Sequence, residues 1–190
     1  MTDYIVEQNF LSTEMCNKLK SYCEQILDAN ANVVAVNVNP MYNNRVVYYE
    51  SIRDPEIKQI LKTIHDSVAQ KLKDFYHLEQ GTILYPEATH LVRWPTGSGL
   101  GYHADNAYED GMPNYVSWRT HSAVIYLNED FEGGRFYFKK EYPQMHTPKT
   151  GLLMAFTGGL DHVHAVETIS SGTRYALPMW FCTDPKYAYV

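Results

Sequence analysis

The stretch Gly101-Tyr102-His103-Ala104-Asp105 sets an imidazole and a carboxylate two residues apart, between the glycine-rich turn Pro95-Thr96-Gly97-Ser98-Gly99 and a long polar segment. In a strand, side chains at i and i+2 leave the same face. His103 and Asp105 can therefore point together into one cavity and grip a single metal ion. Neutral imidazole with carboxylate suits a borderline first-row ion. The competing reading is an ordinary polar pair at a strand end, and the chain's 8 histidines make an accidental His-x-Asp easy to meet. A third ligand has to decide it.

On both sides of this stretch the texture is short strands cut by turns. Thr89 to Trp94 reads as one strand, 100–105 as the next, and His121 to Leu127 as a strongly apolar one. Phe131-Glu132-Gly133-Gly134 reads as a turn. Arg135 to Phe138, Leu152 to Phe156, Ala165 to Ile169 and Tyr175 to Phe181 complete the set, split by glycines at 151, 158, 159 and 172. Such spacing predicts a sandwich or barrel.

Before residue 82 the period changes. Met15, Leu19, Tyr22, Ile26 and Leu27 recur at helical spacing after Ser12, a plausible cap, predicting a helix over 13–29. Asp54-Pro55 opens a second over 55–77, with His65 and His77 read as solvated. Residues 33–38 and 45–49 read as strands. Two amphipathic helices ahead of an all-β half predict a β-core braced on one side.

A length of 190 residues, 45% hydrophobic and 20% charged, fits one globular domain spanning 1–190. A net charge of -6 argues against nucleic acid or an anionic membrane as partner. No apolar run nears the roughly 20 residues of a membrane span. Met1-Thr2-Asp3-Tyr4 lacks the regions of a secretory signal. Cys16, Cys23 and Cys182 are odd in number, and the first two fall too far apart on one helix to bridge. A reduced, cytoplasmic setting is expected.

His162 and His164 follow the Gly158-Gly159 turn, and either could supply the third ligand. Arg174 comes ten residues after His164, beyond Ser170-Ser171-Gly172. A strand, tight turn and returning strand would bring it beside His164. An inward arginine is costly unless an anion meets it. That anion is either a carboxylate of this chain or a ligand carboxylate held in bidentate fashion. Two imidazoles and a carboxylate on one face of an ion leave three positions open, the facial triad of non-haem Fe(II) oxygenases.

The ordered set His103-x-Asp105, Ser122-x-Val124-x-Tyr126-Leu127-Asn128, Glu132-Gly133-Gly134 and His164-x-Val166-x-x-Ile169-x-x-Gly172-x-Arg174 resembles the Fe(II)/2-oxoglutarate oxygenases of the prolyl hydroxylase type. The resemblance covers about 89 to 184. The closing Arg174-Tyr175-Ala176-Leu177-Pro178-Met179-Trp180-Phe181 is similar to the end of prolyl 3-hydroxylase catalytic domains, and His103-Ala104-Asp105-Asn106 fits that group.

The resemblance implies a mainly β fold, a double-stranded β-helix (jelly roll) over 82–184 with helical support and edge strands over 1–80. It implies His103, Asp105 and His164 as iron ligands, the spacing from Arg174 selecting His164 over His162. Arg174 would hold the distal carboxylate of 2-oxoglutarate, with Ser122, Tyr126 and Trp94 also around the cosubstrate. Trp94 stands where many relatives carry a tyrosine. Asp105 favours hydroxylation over halogenation, because radical halogenases of this fold lack that carboxylate.

The implied chemistry couples decarboxylation of 2-oxoglutarate by dioxygen to hydroxylation of an unactivated C–H, with ascorbate as reductant. The implied substrate is a prolyl residue of a peptide or protein; a free amino acid or small metabolite is the alternative. Two further readings are a non-catalytic metal-binding jelly-roll module and a structural zinc site using His162 and His164. Asn106 is placed to orient a ligand, 106–119 to act as a lid, and Arg119 and Arg135 either to meet substrate or to lie in solvent.

Overall fold

The computed structural model describes residues 3–29, 44–87, 90–140 and 144–188; the strand expected over 33–38 lies outside them. The first half comprises β1 (Ile5–Glu7), α1 (Thr13–Ala29), β2 (Val46–Tyr48), α2 (Pro55–Phe75), β3 (Tyr85–Pro86) and β4 (His90–Pro95). The second comprises β5 (Leu100–His103), β6 (His121–Tyr126), β7 (Phe131–Gly133), β8 (Phe136–Phe138), β9 (Met145–His146), β10 (Leu153–Thr157), β11 (His164–Val166) and β12 (Ile169–Cys182).

Both helices start where the caps put them. The Ser12 hydroxyl accepts the Met15 N–H at 3.2 Å. The Asp54 carboxylate accepts from the N–H groups of Glu56 and Ile57, and Pro55 fills a first-turn position that needs no donor. Helix α2 stops earlier than expected because His77 turns left-handed, with φ at 49°. His65 is a correction: it is 6% exposed, facing the sheet near the Phe181 ring, not solvated. His77 is exposed.

The strands form two antiparallel sheets. The larger runs β1-β10-β6-β12-β4-β2, with β3 and β7 also paired to β12; the smaller runs β5-β11-β8-β9. Period-2 alternation assigns the faces. Ala123, Ile125, Leu177, Met179 and Phe181 share one core with Leu19, Cys23, Leu61, Val68 and Leu72 of the helices. Val92, Trp94, Val124, Tyr126, Met154 and Ala176 face the other way and pack with Phe136, Phe138 and Val166 of the smaller sheet. Covered on both sides, β6 is buried at every position, which is why four apolar residues follow one another after His121 and Ser122. The arrangement is a two-sheet antiparallel roll with helices on one outer face.

Phe131–Gly133 is a strand paired with the start of β12, not the expected turn. Gly133 has φ at 75°, and a Cβ there would lie 2.3 Å from the Thr168 carbonyl oxygen. Only glycine lets the two segments approach this closely.

Candidate functional site

Strands β5 and β11 are neighbours, and the Cα of His103 pairs with that of His164. Register alone therefore brings together two imidazoles that are 61 residues apart in the chain. Their ring centroids are 4.3 Å apart. Asp105 lies two residues past the end of β5, and its Oδ1 is 4.0 Å from His103 Nε2. Ligand atoms of His103, Asp105 and His164 all lie within 4.8 Å of one another, and this is the one such group among the described residues. The loop that delivers them is pinned: Gly97 N–H donates to Ile169 O and Ile169 N–H to Ser98 O, each at 2.8 Å.

Each imidazole is oriented by the chain. His103 Nδ1 sits 2.8 Å from Gly101 O, and His164 Nδ1 sits 2.9 Å from His162 O. A carbonyl can only accept, so both Nδ1 atoms carry the proton and both Nε2 lone pairs are free to bind a metal. His164 stacks on Phe136 at 4.9 Å and meets the edge of Phe156. Burial pushes its pKa down to about 4, so the ring is neutral at pH 7. Burial raises the Asp105 carboxyl, but the adjacent His164, the Ser122 hydroxyl and His103 outweigh it and hold the group below the usual carboxylate range. Two neutral imidazoles and one carboxylate are a donor set that fits ferrous iron.

The triad opens on a cavity of about 820 Å³ between the sheets. Arg174 lines it, on β12, and is 6% exposed. Its guanidinium carbon lies 5.3 Å over the Tyr126 ring, and its buried Nε has no hydrogen-bond partner among the described residues. Burial lowers its pKa, and no carboxylate among the described residues ion-pairs with it. Trp94 is its cross-strand partner and lines the same cavity. Ser122 Oγ is likewise buried without a well-formed bond. These polar atoms fit a bound 2-oxo acid with a distal carboxylate. Arg174 does not reach the cavity by the expected hairpin: β11 belongs to the smaller sheet and β12 to the larger, so His164 and Arg174 come from facing walls.

His162 is turned elsewhere. Its Nδ1 meets Thr157 Oγ1 at 2.6 Å and its Nε2 lies 3.5 Å from Asp3, which removes it from any shared zinc site with His164. Asn106 does not touch a ligand; it donates to Arg119 O at 2.8 Å and ties down the ends of the loop 106–119. Arg135 pairs with Glu167 at 2.5 Å. Arg119 is neither solvated nor free: it is gripped by both carboxylate oxygens of Glu87 and stacks 4.1 Å over Trp180. Trp180, Tyr48 and His90 line the cavity beside Arg119, and none of these three has a site role in the sequence reading. Period-2 counting from Arg174 through Ala176 and Pro178 would have put Trp180 on that wall.

Residues 89–182 match the 2OG-Fe(II) oxygenase superfamily. The chain carries a 2OG-Fe(II) oxygenase domain. A rat protein named prolyl 3-hydroxylase 2 is 33% identical over 139 residues, which is 63% of this chain and 20% of that protein. The oxygenase chain thus spans about a fifth of that relative's length. A Pseudomonas putida prolyl-4-hydroxylase superposes with a TM-score of 0.70 at 21% identity, covering 96% of this chain and 93% of the other. A Trichoplax adhaerens prolyl hydroxylase, solved with a hypoxia inducible factor peptide fragment, gives a TM-score of 0.70 at 18% identity, with coverage of 95% and 84%. The structural neighbours have the double-stranded β-helix core that the roll of the oxygenase domain reproduces.

Proposed function

We propose that the protein is an Fe(II)- and 2-oxoglutarate-dependent dioxygenase that hydroxylates an unactivated C–H, with a prolyl residue of a peptide or protein as substrate. One observation carries this: three metal-type donors face one point, and a buried guanidinium with no carboxylate partner among the described residues lines the same cavity. His103, Asp105 and His164 would hold the iron. Arg174 would hold the distal carboxylate of 2-oxoglutarate, with Tyr126 beneath it and Trp94 and Ser122 alongside. The bound iron and cosubstrate supply the oxidising chemistry, coupling decarboxylation by dioxygen to hydroxylation.

The chain does the rest. The carbonyls of Gly101 and His162 fix the tautomers, so neither Nε2 has to lose a proton before binding metal. Phe136, Phe156, Val124 and Val166 wall the site with apolar surface, which excludes water from the reacting centre. The peptide reading is supported by the printed names of the rat and Trichoplax relatives and by the exposed rings of Tyr108 and Tyr115 on the cavity rim. Ascorbate as reductant belongs to the same proposal. So does a reducing, cytoplasmic setting, supported by three buried free cysteines.

The test incubates the protein with Fe(II), 2-oxoglutarate and ascorbate against proline-containing peptides and free amino acids, reading succinate and the mass gain of one oxygen atom. Succinate formation with a hydroxylated proline peptide is expected. Turnover of free amino acids alone would overturn the peptide part. The whole reading falls if no substrate yields succinate and anaerobic Fe(II) plus 2-oxoglutarate gives no visible charge-transfer band, or a band that survives His103→Ala.

A further inference from the structure

Strand β6 ends at Tyr126, whose Cα partner on β12 is Ala176. The last backbone bond along that edge runs from Leu127 N–H to Tyr175 O at 2.9 Å. Past it, the Tyr175 N–H and the Thr173 carbonyl face the gap between the end of β6 and β7, whose Phe131 pairs with Gly172. The side chain of Asn128 fills it: Oδ1 accepts the Tyr175 N–H at 2.7 Å, and Nδ2 donates to Thr173 O at 2.8 Å. The second Nδ2 hydrogen goes to Asp130 Oδ1 at 2.5 Å. These partners leave one orientation for the amide, since an N–H needs an oxygen while a carbonyl and a carboxylate need an N–H.

Thr173 and Tyr175 bracket Arg174, whose own Cα pairs with Trp94 on β4. The cavity arginine is therefore flanked by a strand on one edge and, in the gap between β6 and β7 on the other, by a single amide. Asn128 is 5% exposed. Asp130 extends the chain of bonds outward to Lys20 of α1, 3.6 Å away.

We propose that Asn128 is a positioning residue for the cosubstrate, acting through the backbone of β12 to set where the Arg174 guanidinium stands. The inference rests on the functional reading above, because it concerns how that site selects its 2-oxo acid. A merely structural amide would satisfy two backbone groups and leave ligand selection alone. A positioning amide makes the site's preference for a distal carboxylate depend on residue 128.

The experiment titrates the anaerobic Fe(II) protein with 2-oxoglutarate and with 2-oxopentanoate, which has the same chain length and no distal carboxylate, following the charge-transfer band. Folding of each variant is checked by thermal melting. In Asn128→Leu the Kd for 2-oxoglutarate is expected to rise roughly tenfold, while that for 2-oxopentanoate stays within about twofold. Asp130→Ala, at the exposed end of the bonds, is the mild variant and moves the same ratio in the same direction. A folded Asn128→Leu with unchanged 2-oxoglutarate affinity, or with equal losses for both acids, overturns the inference alone. If Asn128→Leu does not fold, the acid ratio in Asp130→Ala decides: a lowered preference supports the inference and an unchanged one overturns it. A wild-type protein with no 2-oxoglutarate band overturns the functional reading, and the inference with it.

Discussion

A guanidinium enclosed without a counter-ion destabilises whatever surrounds it, and Arg174 is 6% exposed with a buried Nε that has no partner among the described residues. The fold tolerates this cost for a reason outside its own stability. Arg174→Met should therefore stabilise the ligand-free protein by about 1–3 kcal/mol while abolishing its response to 2-oxoglutarate. Thermal melts with and without the cosubstrate check both signs at once. A variant that is less stable than the parent would mean the guanidinium is compensated after all. The sequence reached this arginine and the triad because the ordered motif from His103 to Arg174 resembles a known family; the glycine turn alone leaves His162 and His164 equal. It gave no role to Glu87, or to Asn128 beyond its place in the motif. Their roles depend on where a strand ends and which loop passes by, and neither is written in local spacing.

At the scale of elements, the helices were legible to within two residues because caps and apolar period agree. The solvated expectation for His65 fails because the residue lies on the buried stripe of α2 with Leu61, Ile64, Val68 and Leu72. Burial pushes His65 down to about 4, and His121 on β6 likewise to about 4. An unfolded histidine titrates near 6.5, so between these values the unfolded chain binds protons that the folded protein refuses. Stability is then full above about pH 6.5 and falls as pH drops toward 4. Each residue should cost about 2 kcal/mol between pH 7.5 and 5. Urea unfolding at the two pH values should show a drop that His65→Leu reduces by about that amount; an equal drop in the variant would refute the assignment. The short strands fared worse. Strands β3 and β9 have two residues each and no pattern to read, and β7 looks like a turn because its glycines serve close approach rather than reversal.

For the whole molecule, the larger sheet divides two cores with different work. The helix-side core carries stability, and the roll-side core shapes the cavity. Leu19→Ala, fully buried on the helix side, should cost about 2–5 kcal/mol. It should leave the 2-oxoglutarate affinity of the folded fraction unchanged, as denaturation and ligand titration on the same sample would show. The fold class was legible from alternation and turn spacing. The facing of β11 and β12 from opposite sheets was not, because two strands joined by a short link read as a hairpin whichever sheets they belong to.

Strand β12 sends Arg174, Pro178 and Trp180 into the cavity, with Ala176 in the roll-side core between them, and Tyr175, Leu177, Met179 and Phe181 toward the helices. Adding or deleting one residue after Gly172 would exchange the two rows, driving the guanidinium against α1 and exposing greasy side chains to the reaction chamber. Variation along this segment can therefore proceed by swapping letters but not by changing their number.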